Sequence, residues 1–222
     1  MKDNFSKQLL LNLRTFPAMG REDYIVSKIN KDAISWLDIW PNWPSLGFIV
    51  CGPTGSGKSH LASALQTLTH GLIIEAKNLK ENKLNELAKN KCLIIEDIYK
   101  YKSEKLLLHI YNMMFERQNN IMFTSNVPIN SINFKLADLK SRLLSMPQVN
   151  IGLPDDELLK NLFIKQFSDY GVIVELEVIN YLIKRVDRTF ESIINVVNSI
   201  NALSLEKSKK ITIPFIKKVL KL

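Results

Sequence analysis

GPTGSGKS, residues 52–59, decides how the rest of this chain is read. It fits G-x-x-x-x-G-K-[ST] at every position. The apolar run LGFIVC (46–51) precedes it and reads as a buried strand; HLASALQTL (60–68) follows and reads as a helix. Strand, glycine turn and helix in that order make a cradle for phosphate. Gly55 and Gly57 permit backbone angles that wrap successive N–H groups around an anion. The helix opening behind them adds its positive dipole end. Pro53, Thr54, Ser56 and His60 complete the loop and its exit. Lys58 is expected at the β- and γ-phosphates of a nucleotide, and the Ser59 hydroxyl on Mg²⁺.

Outward from the loop, short apolar runs alternate with longer amphipathic ones. GLIIEA (71–76), KCLIIED (91–97), IMFTSN (121–126) and PQVNIGL (147–153) read as further strands. NLKENKLNELAK, SEKLLLHIYNMMFERQ (103–118) and DLKSRLLS read as helices between them. Continuously apolar strands alternating with helices predict a parallel sheet of about five strands, covered on both faces. After Pro154 the strands stop. PDDELLKNLFIKQFSDYG, ELEVINYLIKRV, FESIINVVNSINAL and ITIPFIKKVLKL predict a small all-helical domain over 154–222, with Pro214 at its last helix start. The expected organisation is a tail at 1–20, an α/β domain at 21–153 and this helical domain.

The bulk properties agree with a globular chain. It has 222 residues, 46% hydrophobic and 23% charged. No segment approaches the roughly 20 apolar residues of a membrane span, so no membrane partner is expected. Cys51 and Cys92 fall in strand-like runs and read as reduced thiols, which suits a cytoplasmic protein. His60, His70 and His109 lack metal-ligand spacing. The net charge of +8 comes largely from scattered lysine, which fits a solvated surface better than a grip on nucleic acid.

A phosphate loop needs acids at the end of a neighbouring strand. LIIED supplies Glu96, expected to hold the metal, and Asp97, expected to orient the attacking water. Asn126, ending the fourth strand, is placed to touch the γ-phosphate or that water. A phosphate-loop sheet followed by a helical lid is the AAA+ layout. Members often assemble side by side and insert an arginine into the neighbour's site, which raises hydrolysis by roughly 10³–10⁵. Arg142 in LKSRLL is the candidate for that role, and self-association is compatible with the layout.

DIYKY after LIIE, then TSN, DLKSRL, the closing KKITIPFIKKVLKL and the early REDYIVSKIN…WPNWPS resemble the replication initiator DnaA. They are still more similar to its short Hda/HdaA paralogues. The resemblance covers nearly the whole chain and implies ADP or ATP as cofactor. It also implies a function: members bind the DNA-loaded sliding clamp of DNA polymerase III and make ATP-bound DnaA hydrolyse its nucleotide. Their clamp-binding peptide is Q-L-x-L-x-L, and Gln8, Leu9, Leu11 and Leu13 match it position by position. The resemblance places Tyr24, Ile25 and Val26 at the adenine. Trp36, Trp40 and Trp43 read as packing beneath the nucleotide site. The DnaA resemblance ends at Leu222, before the initiator's DNA-reading domain, so weak or indirect DNA contact is expected, with the protein at the nucleoid or replisome.

Two positions depart from DnaA. Glu96 stands where DnaA has Asp, and a longer side chain suits Mg²⁺ geometry poorly. The lid arginine that senses the γ-phosphate aligns with Glu191; a register shift of one helical turn gives that nucleotide-binding role to Arg188, three residues earlier. A carboxylate there predicts ADP bound at least as tightly as ATP and weak intrinsic hydrolysis. Two other readings compete: a helicase-loader-like ATPase, and a DnaA-like recruiter that acts without hydrolysis.

Overall fold

The structure is a computed structural model and describes residues 25–207 and 209–220. The expectations for Gln8, Leu9, Leu11, Leu13 and Tyr24 lie outside the described residues. The α/β part contains α1 (Lys31–Asp38), β1 (Gly47–Cys51), α2 (Lys58–Thr69), β2 (Leu72–Glu75), α3 (Leu84–Leu87) and β3 (Cys92–Glu96). It continues through α4 (Glu104–Glu116), β4 (Asn120–Ser125), α5 (Ala137–Ser145) and β5 (Gln148–Asn150). The helical part contains α6 (Asp156–Asp169), α7 (Leu176–Ile183), α8 (Phe190–Lys207) and α9 (Ile213–Leu220).

The five strands form one sheet in the order β2-β3-β4-β1-β5, and every pairing is parallel. β1 lies between β4 and β5, and all five of its residues are buried. That double burial is why GFIVC has no alternating polar face. One face of the sheet buries Ile49, Leu93, Ile95 and Phe123 against α4 and α5 residues such as Ile110 and Leu139. The opposite face buries Phe48, Val50, Ile94 and Met122 against α1 and α2 residues such as Ile34 and Leu61. Trp36, Trp40 and Trp43 flank this second core, with Trp36 stacked on Phe48 at 4.6 Å and Trp43 edge-on to it at 5.1 Å. The Trp43 indole N–H donates to the Trp36 carbonyl at 2.7 Å. The tryptophans therefore pack into the core, at the Phe48 end of β1, and none lines the nucleotide cleft described below.

The helical part has its own core, centred on Leu158, Phe163, Phe167, Ile179, Leu182, Ile193, Val197 and Ile216. Asp155 caps α6 by accepting the Leu158 N–H at 2.8 Å, and Asp156 and Glu157 meet the helix dipole in the first turn. Pro214 is the second residue of α9.

Two elements differ from expectation. NLKENKLNELAK does not form one helix. The chain makes 3₁₀ turns at Ala76–Asn78 and Glu81–Lys83 and only then the four-residue α3. Leu79 and Lys80 are extended, and Leu84 follows Leu79 at a spacing of five, which breaks the 3.6-residue repeat a helix needs. Conversely, KDAISWLD forms α1, anchored by buried Ala33, Ile34 and Leu37. No helix among the described residues is long and apolar enough to cross a membrane.

Candidate functional site

The carbonyl-side ends of β1, β3 and β4 converge beneath the helical part, as ligand crevices do in open parallel sheets. There they border a cleft of about 520 Å³. One wall is the phosphate loop. Gly55 and Gly57 have φ of +79° and +94°, in the left-handed region, and Gly57 directly precedes α2. The loop thus turns as the motif requires, with the N-terminus of a twelve-residue helix behind it.

Lys58 is only 7% exposed. Its ammonium donates to the Gly52 and Pro53 carbonyls at 2.7 and 2.8 Å. Burial pushes its pKa down, and the charges of Asp97, Cys51 and Glu96 act in the opposite sense. A buried cation held by loop carbonyls beside two carboxylates is suited to exchange those partners for phosphate oxygens. Thr54, Ser59 and His60 also line the cleft, whereas Ser56 is buried and its hydroxyl has no hydrogen-bond partner.

The opposite wall comes from the strand ends. Asn126 donates from Nδ2 to the Thr54 hydroxyl at 3.1 Å and to the Tyr99 hydroxyl at 2.8 Å. Asn126 therefore reaches the phosphate loop. Of the two strand-end acids, Asp97 lines the cleft and Glu96 does not. Glu96 lines a separate depression beside β2, with Glu75 and Lys83. Asp97, just past the strand end, has turned into the left-handed region at φ +55°. The residues that could take Mg²⁺ are Ser59 and the two strand-end acids, Asp97 in the cleft lining and Glu96, whose charge reaches Lys58. Among the described residues no three His, Cys, Asp or Glu side chains cluster as a metal cage. A Mg²⁺ here would draw its other ligands from phosphates and water, its usual mode.

The helical part closes the cleft with Leu162, Gln166, Phe190, Glu191, Ile194 and Asn195. Glu191 faces it as the sequence alignment suggested. Arg188 does not line it; its guanidinium pairs with Asp156 at 2.6 Å. Ile25 packs on the helical core and Val26 is 51% exposed; neither lines the cleft. Arg142 lies outside the cleft on α5. Its Nε donates to Asp138 Oδ1 at 2.9 Å and its guanidinium sits 5.6 Å from the Tyr111 ring centroid.

Sequence reasoning missed Tyr99 and Lys100, which follow the strand-end acids and line the cleft, and also missed the residues from α6 and, Glu191 apart, those from α8. The first pair adjoins LIIED and was findable by position. The second set depends on how the two parts dock, which no local motif encodes.

Comparison with known proteins agrees with this geometry. Residues 156–220 match the family described as "Hda, lid domain", and residues 48–141 match one described as "RNA helicase". A chromosomal replication initiator protein DnaA from Buchnera aphidicola subsp. Cinara cedri is 24% identical over 192 residues, covering 76% of this chain and 44% of the relative. The chain spans about half the length of such DnaA relatives. Domain III of Thermotoga maritima DnaA superposes with a TM-score of 0.78 at 18% identity, covering 92% of this chain and 96% of that one. AMPPCP-bound DnaA from Aquifex aeolicus superposes at 0.73 with 20% identity, covering 86% and 67%. With its match to the Hda lid domain at 156–220, its DnaA-like relatives and its phosphate-loop cleft, the chain is similar to Hda-type paralogues of DnaA and has the fold of DnaA domain III.

Proposed function

We propose that this protein regulates chromosomal replication initiation by inactivating DnaA. It binds ADP or ATP in the cleft between the phosphate loop and α8. Gln8, Leu9, Leu11 and Leu13 hook it to the DNA-loaded sliding clamp, an extended peptide placing aliphatic anchors in a preformed groove. The tether raises the effective concentration of its AAA+ surface near DNA-bound DnaA. Arg142 then enters the DnaA nucleotide site and stimulates hydrolysis there.

The observation that carries this reading is the Hda lid domain at 156–220. The placement of Arg142 supports it: the side chain is outside its own cleft and 36% exposed, aimed by Asp138 and Tyr111. Glu191 in the cleft supports ADP as the resting nucleotide, because a carboxylate repels the additional phosphate of ATP. Mg²⁺, when bound, screens phosphate charge. The chain's own groups position the nucleotide through Lys58, Ser59, Thr54 and Asn126.

The test is hydrolysis of DnaA-bound ATP in the presence of DNA-loaded clamp. Wild-type protein is expected to stimulate it. Gln8→Ala is expected to lose stimulation together with clamp binding, and Arg142→Ala to lose stimulation with clamp binding intact. An absence of stimulation by folded, nucleotide-bound wild-type protein would refute the reading.

A further inference from the structure

The turn after β3 folds back on the nucleotide cleft. Asp97 adopts φ +55°, which a short polar side chain tolerates better than most, and its N–H donates to the Thr124 hydroxyl at 3.0 Å. The Lys100 N–H then donates to the Asp97 carbonyl at 2.8 Å, closing a single 3₁₀ turn over Ile98–Lys100. The turn brings the Lys100 ammonium to 2.6 Å from Asp97 Oδ2 and 5.3 Å from the Tyr99 ring centroid. Tyr99 in turn accepts the Asn126 amide, which also reaches Thr54 of the phosphate loop. Lys100, Asp97, Lys58 and Ser59 all line the one cleft. Lys58 and Lys100, together with Lys165 of α6, therefore bring three ammonium groups to the cleft, and the Lys100 ammonium is bound to a strand-end carboxylate placed for a metal.

We propose that Lys100 is a built-in counter-cation for this site: it neutralises Asp97 and offsets phosphate charge, so that ADP binds with little need of Mg²⁺. The inference rests on the cleft being the nucleotide site. A divalent cation contributes to phosphate binding by placing positive charge between carboxylate and phosphate. Here an ammonium on a four-residue tether occupies that position relative to Asp97. A metal entering the site must displace it from the carboxylate and gains correspondingly less.

The test is calorimetric titration of the full chain with ADP, in Mg²⁺ and in EDTA, for wild type and Lys100→Gln. The quantity read is the ratio of the two dissociation constants, EDTA over Mg²⁺. The expected ratio is near unity for wild type and larger by at least about threefold in Lys100→Gln, where Mg²⁺ restores affinity. A ratio in the variant within about threefold of wild type overturns the proposal. So does loss of ADP binding by the variant in both buffers, because the metal would then not replace the ammonium. Wild type failing to bind ADP in either buffer is a distinct failure, that of the nucleotide site itself.

Discussion

Phe190 donates its backbone N–H to the Gly55 carbonyl across 3.0 Å, so the first residue of α8 is hydrogen-bonded to the phosphate loop itself. Gly55 also lies close against the helical part: a Cβ built on it would lie 2.5 Å from Thr189 Cβ. The position of α8, and with it Glu191, is therefore tied to the loop's backbone.

Gly55→Ala tests that tie. Its φ of +79° costs an L side chain roughly 1–2 kcal/mol, and the methyl must also push Thr189 away. The expected outcome is ADP affinity reduced by about tenfold or more, measured by calorimetry. The core around Phe163 and Val197 does not touch this position, so most of the cooperative thermal transition should survive. Unchanged affinity would mean that loop and lid move independently.

Glu191→Arg tests nucleotide preference. Glu191 lines the cleft and Arg188 is engaged by Asp156, so the cleft receives a carboxylate from this turn of α8. Reversing that charge replaces repulsion of the terminal phosphate with attraction. Affinity for ATP relative to ADP is expected to rise by about tenfold, on the order of one charge contact in a polar cleft. Competition between the two nucleotides for the site provides the measurement. No change in the ratio would remove Glu191 as the cause of ADP preference.

Much of this arrangement was legible in the sequence, for a physical reason. Strands β1, β3 and β4 are sandwiched by neighbours and by helices, so each appears as an uninterrupted apolar run beside a turn. The phosphate loop was legible because its chemistry lies in eight consecutive residues. What escaped depends on contacts remote in sequence or on unusual backbone. The order β2-β3-β4-β1-β5 is a spatial fact. Lys100 enters the site only because Asp97 turns left-handed. Glu96 and Asp97 were both expected at the site, one on the metal and one on the attacking water, yet after the change of backbone between them only Asp97 lines the cleft.

Glu104→Ala should weaken α5 and whatever Arg142 does from it. The Glu104 carboxylate accepts the Leu136 N–H at 2.6 Å, the Lys135 N–H at 2.9 Å and the Tyr101 hydroxyl at 2.9 Å. It thus holds the segment that leads into α5, which has no side-chain cap of its own. Partial burial raises the Glu104 pKa, but these donors and the Lys135 charge outweigh it and leave the carboxyl below the usual value of 4.5. Its contribution is therefore present above the ordinary glutamate range and lost as pH falls through the lowered folded value. Removal is expected to cost about 1 kcal/mol by denaturant unfolding at neutral pH. Stimulation that depends on Arg142 should fall in parallel, while ADP binding is retained. Loss of stability with full stimulation would separate α5 placement from Arg142 function.

Cys92 gives a pH signature for the sheet core. The thiol is fully buried in β3, and burial pushes its pKa from 9.0 up to about 11, against a smaller lowering from the Thr69 hydroxyl. The unfolded thiol ionises near its ordinary value. Between these values the folded chain holds a proton that the unfolded chain has released, so stability falls as pH rises across the interval. The contribution is whole below pH 9 and amounts to roughly 2–3 kcal/mol when fully lost. Other groups titrate in the same range, so the quantity to measure is the difference in unfolding free energy between wild type and Cys92→Ala. That difference includes a constant packing term and should shift by about 2 kcal/mol against wild type from pH 8.5 to pH 11. A buried thiol is also shielded from alkylating reagents below pH 9, so modification of Cys92 in the native protein should be governed by unfolding. A flat difference across the range, or rapid native-state alkylation, would show that β3 opens locally at its Cys92 end and that the parallel sheet is less continuous there than its hydrogen bonds with β2 and β4 imply.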